Sequence, residues 1–402
     1  MTLALPHQPG TPRQANSLHH PAASREIVIV HERFTERGGS ENVVDELAIA
    51  FPDARLFSPI IDRAALPDHA AQLPHRSSRI QRLYRGEGRY AELLPLLPMV
   101  MANADIGPAD VVIASHHAFA NRIRLPDQAA LVSYVHTPAR WMWDDTFRDG
   151  EAGGAIGSLG LGWFASSQRR ADRAAAQRAS LLVANSTTVA ERIETWWGRS
   201  SKVVAPPVDV DYFTPDPDEE REDFFLLAGR LVPYKRPELA IEAAKAAGVR
   251  LVVAGSGRAD GNRSNNARSK SPRSNNTDGI EYLGSVDRHE LRRLFRRCRA
   301  LVFPGVEDFG IVPVEAQACG APVVGVDLGG LRDTVVPGRT GELVRYRRSA
   351  DAQVALLAEA MRDLDPSRYD AGSIRRHAEQ FSARRFRTEM TGLVDRVVSA
   401  AD

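Results

Sequence analysis

The chain has 402 residues and carries 52 Lys and Arg against 51 Asp and Glu, a formal charge of +1. That length supplies two or three domains with full cores and excludes a small stapled module, while the even charge gives no bulk attraction to nucleic acid. The two cysteines, Cys298 and Cys319, are too few for a disulfide framework and lack metal-ligand spacing, so a reducing compartment is expected.

Residues 1–24 are rich in Pro, His, Ser and Gln without the apolar centre of a secretory signal, and are expected to form a disordered tail. From Glu26 onward, short apolar runs at 27–30, 111–114, 131–135 and 181–184 read as buried parallel strands. Between them lie amphipathic stretches such as Val43, Val44, Leu47, Ala48 and Phe51, at helical spacing after Ser40, which is expected as the cap. The most apolar segment, 93–101, is about half the length that spans a bilayer.

The same alternation restarts after Pro206-Pro207, with runs at 224–228, 250–254, 280–283, 300–303 and 322–326. The fold class expected is α/β: two Rossmann-like domains, 25–205 and 206–382, facing each other across a cleft at the carboxyl ends of their strands. Segment 262–278 is nearly free of apolar side chains and is expected as a mobile insertion in the second domain.

The segment Glu307-Asp-Phe-Gly-Ile-Val-Pro-Val-Glu315 follows a strand and opens a helix with Pro313 in its first turn. Amides at Phe309, Gly310 and Ile311 then form an anion site, bracketed by two carboxylates suited to sugar hydroxyls. Arg230 and Lys235 follow strand 224–228 and supply fixed cations for a leaving diphosphate without a metal. Gly38 and Gly39 allow a close backbone approach after the first strand, and His136 ends another strand, where sites collect.

In its context, FPGVEDFGIVPVEAQACGAPVVG after AGRLVPYKRPELAIEA, this segment resembles the E-x7-E signature of retaining glycosyltransferases of the GT-B fold, family four. The resemblance runs from about residue 26 to the end. It implies that Glu307 contacts the donor sugar and Glu315 the nucleotide ribose, with Arg230 and Lys235 on the diphosphate and His136 beside the reacting centre. It further places Gly38, Gly39, Val286, Phe309, Gly310, Ile311 and Val312 around the donor, and Arg140, Trp141 and Asp144 toward the acceptor. A C-terminal helix, 383–402, is expected to cross back to the first domain. Asp333, after Gly329-Gly330, stands where the family usually has glutamate.

The function expected is retaining transfer of a hexose from a nucleotide sugar, without metal or other cofactor, to a glycan or polyprenyl-diphosphate-linked acceptor. The stretch His136-Thr-Pro-Ala-Arg-Trp-Met-Trp-Asp144 resembles bacterial mannosyltransferases of surface polysaccharides and favours GDP-mannose; a UDP-hexose donor and a nucleotide-sugar epimerase are the alternatives. Asp209-Val-Asp211 is discounted as a metal pair, and no nucleic acid partner is expected. The arginines at 76, 79, 82, 85 and 89 suggest a basic helix meeting an anionic membrane. Location is expected in the cytoplasm, at the inner face of the cell membrane.

Overall fold

In the computed structural model the described residues are 25–86, 90–145, 155–257 and 278–400. The expected tail 1–24, nearly all of the expected insertion 262–278, and Arg89 lie outside them. The described strands form two parallel sheets.

The first sheet holds β1 (Ile27–His31), β2 (Arg55–Phe57), β3 (His75–Arg76), β4 (Val111–His116), β5 (Ala130–Val135), β6 (Leu181–Ala184) and β7 (Lys202–Val203), in the order β3-β2-β1-β4-β5-β6-β7. The second holds β8 (Phe225–Ala228), β9 (Leu251–Ala254), β10 (Ile280–Gly284), β11 (Ala300–Phe303), β12 (Val323–Val326) and β13 (Gly341–Val344), in the order β10-β9-β8-β11-β12-β13. Both orders reverse direction beside their first strand, which opens a crevice at the carboxyl ends. Val28, Ile29, Val30, Val112, Ile113 and Leu131 are buried because helices cover both faces, and this is why the central strands read as unbroken apolar runs.

Helix Ala383–Ser399 returns to the first lobe. Phe386, Met390, Leu393 and Val394 join Val43, Leu47 and Tyr134 in one core, Phe386 meets the Tyr134 ring edge-on at 5.4 Å, and Arg387 pairs with Glu46. The two lobes are thus tied both by the connector near residue 206 and by this helix.

Two local expectations are corrected. Helix Gly39–Ala50 starts one residue before Ser40, with Gly38 in extended conformation as its cap; Ser40 instead donates its hydroxyl to Glu41 at 2.9 Å. The arginine run does not form one basic helix: Arg76 ends β3, residues 79–83 make a short 3₁₀ turn capped by Ser78, and 84–86 are irregular. The described residues 76–86 therefore do not form the basic helix that the membrane reading invoked. No described helix is long and apolar enough to cross a membrane.

Candidate active site between the lobes

On the second lobe, strand β11 ends at Phe303 and the chain loops through Glu307 into helix Ile311–Ala318. Gly310 opens the helix with φ of +91°, a left-handed conformation that a side chain would strain. Phe309 turns its ring inward, 5.6 Å from Phe381, so its contribution to the cleft is backbone. Buried Gln317 donates to the carbonyls of Pro313, at 3.1 Å, and Thr334, at 2.9 Å, fixing the helix direction. Gly330 packs where a Cβ would stand 2.1 Å from the Phe309 carbonyl, so no larger residue fits behind this loop.

Arg230 and Lys235 approach the loop from the end of β8. Lys235 Nζ lies 2.7 Å from Glu307 Oε1, both side chains being mostly buried. Arg230 is largely exposed and reaches across to Glu36 of the first lobe at 3.7 Å. Glu315 is partly exposed on its helix yet hemmed in by protein, and desolvation pushes its carboxyl up to about 7 against the opposing pull of Arg288 and Lys235. Asp209 accepts from Arg288 at 2.7 Å and from the Tyr212 amide at 3.2 Å. Val286 packs partly buried on the lobe's core, beside a turn tied by Ser285 to Ser256 at 2.8 Å.

The first lobe answers with the Gly38–Gly39 loop. A Cβ on Gly39 would stand 2.8 Å from Ile311 Cδ1, so the loop meets the start of helix Ile311–Ala318 directly. Beside it, Arg192 bridges Thr137, at 3.0 Å, to Asp308 of the other lobe, and Arg140 has Asp308, Arg192, Asp144 and Tyr234 as charged or ionisable neighbours. Arg140 and Asp144 pair at 3.7 Å. Trp141 stacks on Phe164 at 5.7 Å within the lobe's own packing. Asp333 accepts from the Thr187 amide at 2.7 Å and the Thr187 hydroxyl at 2.6 Å, so it is a clasp between the lobes and its carboxylate is committed there.

His136 does not stand alone. The ends of β1, β4 and β5 bring His31, Ser115, His116 and His117 to it, all of them buried or nearly so. The His117 and His136 rings stack at 4.4 Å, and burial beside neighbouring imidazoles holds both well below the usual histidine value. Glu32, buried beneath them, accepts from the amides of His117, at 3.0 Å, Phe119, at 2.6 Å, Ala120, at 3.0 Å, and Ala118. Burial opposes its charge, but His116 and these amides prevail and its carboxyl is lowered. Sequence reasoning took only His136 from this group, although the same strand-end argument applies to His31 and to Ser115-His116-His117.

Cavities lined by described residues also lie elsewhere, two of them larger than a third of about 170 Å³ beside Glu222 and Arg250. The larger, about 480 Å³, is lined by residues 104–108 and 124–127, which precede β4 and β5 and so sit at the far, amino end of the sheet. The other, about 250 Å³, lies behind the clasp, between Asn185, Thr187, Asp333, His377 and Arg385. Among the described residues no group of three or more His, Cys, Asp or Glu is placed to hold a metal ion.

Residues 37–212 match the model described as Glycosyltransferase Family 4, and residues 212–376 match the one described as Glycosyl transferases group 1. The D-inositol 3-phosphate glycosyltransferase of Gordonia bronchialis is 31% identical over 250 residues, covering 56% of this chain and 54% of that protein. The chain spans about half the length of the curated relatives it matches. The same fold is seen in Anabaena HepE, solved with UDP and glucose (TM-score 0.62, 17% identity, 92% of this chain and 99% of that one). It is also seen in sucrose-phosphate synthase from Thermosynechococcus elongatus (TM-score 0.66, 17% identity, 94% and 100%). Residues 37–376 thus match two glycosyltransferase family models in succession, and the two-lobed fold is the one these solved structures share.

Proposed function

We propose that the chain is a metal-independent retaining hexosyltransferase whose cleft binds a nucleoside-diphosphate sugar. The observation that carries this reading is the meeting of Gly38–Gly39, Lys235, Glu307 and the amino end of helix Ile311–Ala318 in one place. Free amides and the helix dipole favour a phosphate there, and Arg230 with Lys235 stabilise the charge that develops as the sugar leaves. Lys235, engaged with Glu307 at 2.7 Å, turns to the diphosphate once donor enters, freeing Glu307 for sugar hydroxyls. Glu315 accepts from the ribose, and Arg140 and Asp144 face the acceptor.

With no carboxylate pair among the described residues set as nucleophile and acid, the departing phosphate itself takes the acceptor proton on the face it leaves. Closure of the lobes around the donor excludes water and limits hydrolysis.

The donor favoured is GDP-mannose and the acceptor a glycan or polyprenyl-diphosphate-linked oligosaccharide at the inner face of the cell membrane. A UDP-hexose donor is the second reading, supported by the UDP and glucose bound to the structurally similar Anabaena protein, and the name of the Gordonia relative adds an inositol phosphate as a second acceptor to test. The test is nucleotide release from GDP-mannose and UDP-hexoses with each acceptor, and the anomeric configuration of the product. GDP release with an α-linked mannoside supports the proposal. Turnover of UDP-glucose alone moves the donor to the second reading, and conversion of a donor without acceptor shows an epimerase.

A further inference from the structure

Three parallel strands end in one polar row. Their register sets His31 of β1 beside Ser115 of β4, and Ser115 beside Tyr134 of β5, two residues before His136. Ser115 is fully buried between two imidazoles, its Oγ 3.0 Å from His31 Nδ1 and 2.7 Å from His136 Nε2. The other nitrogen of His31, Nε2, lies 3.4 Å from Glu41 Oε1. Glu41 stands on the first turn of helix Gly39–Ala50, just under the glycine loop; a Cβ on Gly38 would be 3.1 Å from its Oε2.

A hydroxyl has one proton to give, and an ionised carboxylate only accepts. Glu41 therefore requires the proton of a neutral His31 to sit on Nε2, which leaves Nδ1 bare. Ser115 donates to that bare Nδ1 and can then only accept from His136, whose proton must be on Nε2. We propose that Glu41, His31 and Ser115 are positioning residues that hold His136 in its Nε2–H tautomer, so that His136 Nδ1 is a hydrogen-bond acceptor during glycosyl transfer. The opposite polarity needs a doubly protonated His31, which would turn the Ser115 proton toward His136 and move the ring proton to Nδ1. Burial opposes the Glu41 charge, but the contacts with His31, the helix amide and Ser40 together outweigh it, and the carboxyl is lowered to about 2. Burial first, and then the neighbouring His117, disfavour a second proton on His136.

The use of this chain in catalysis rests on the transferase reading; its tautomer does not. The test is ring-nitrogen NMR of the full chain labelled at histidine, without donor, with His136 assigned from a His136→Gln variant. The expected spectrum of the wild type shows a pyrrole-type Nε2 and a pyridine-type Nδ1 at His136, and Ser115→Ala mixes the two tautomers. A protonated Nδ1 in the wild type, or an unaltered tautomer in Ser115→Ala, overturns the proposal. With a donor that the wild type turns over, Ser115→Ala is expected to lower kcat about 10-fold, the low end of what partners that orient a histidine contribute, while donor KM stays within about twofold. An unchanged kcat in a variant whose tautomers are mixed overturns the catalytic use. If the wild type transfers from no donor, the transferase reading fails while the spectrum still decides the tautomer.

Discussion

At the scale of single residues, the two lobes differ in how they prepare charge. Glu315 is a carboxyl that burial holds up at about 7, so the folded protein keeps a proton that the unfolded chain releases near 4.5. The stability this contributes is present below 4.5 and is lost as pH rises through about 7. Glu315→Gln, which carries no charge, is therefore expected to raise Tm by roughly 1–3 °C at pH 8 and to leave it unchanged near pH 4. Melting curves of both proteins across that range check it; an advantage that is equal at both ends would show that the charge is not the cause. The second-lobe loop was legible because Glu307, Gly310, Pro313 and Glu315 are contiguous and their helix start has a local signature. The histidine cluster was not, since His31, Ser115 and His117 are separated by long stretches of chain and only strand register unites them.

At the scale of elements, the central strands were legible to within one or two residues because helices on both faces demand unbroken apolar runs. Strands β2, β3, β7 and β13 were not read. His75–Arg76 and Lys202–Val203 are two-residue edge strands with exposed side chains and carry no such run. The same limit misled the reading of the arginine run, where a spacing of three or four suggested a helix that the backbone does not form. The contact of Gly39 with Ile311 yields the prediction at this scale. Gly39→Val places a branched side chain against the end of a flexible one, so stability is expected to fall by about 1 kcal/mol or less. Donor Kd is expected to rise about 10-fold or more as the glycine loop is pushed off the helix start. Thermal melts and donor titration read the two effects separately, and unchanged donor affinity would remove the loop from the binding site.

At the scale of the whole molecule, polar bridges cross between the lobes: Asp333 to Thr187, Arg192 to Asp308, and Arg230 to Glu36. Each is modest alone, since partly exposed polar pairs contribute roughly 0.2–1 kcal/mol, and together they bias the lobes toward the closed arrangement that brings Gly39 to Ile311. Asp333→Ala is expected to increase the radius of gyration seen by small-angle scattering and to weaken donor binding roughly two- to fivefold, an energy within that range. Identical scattering profiles would show that the clasp does not set the opening. The departure from the usual glutamate at this position thus has a structural account: the shorter carboxylate receives both the amide and the hydroxyl of Thr187.

The central claim is that the inter-lobe cleft grips a nucleoside-diphosphate sugar through Lys235 and the loop that carries Glu307 and Glu315. Calorimetric titration of the full chain with GDP-mannose and a set of UDP-hexoses tests it most directly, beside Lys235→Ala and Glu315→Ala variants shown by melting to be folded. GDP-mannose is expected to bind at one site, with affinity reduced about 10-fold or more in both variants. A protein that binds none of these donors, or binds one with the same affinity in all three forms, contradicts the account.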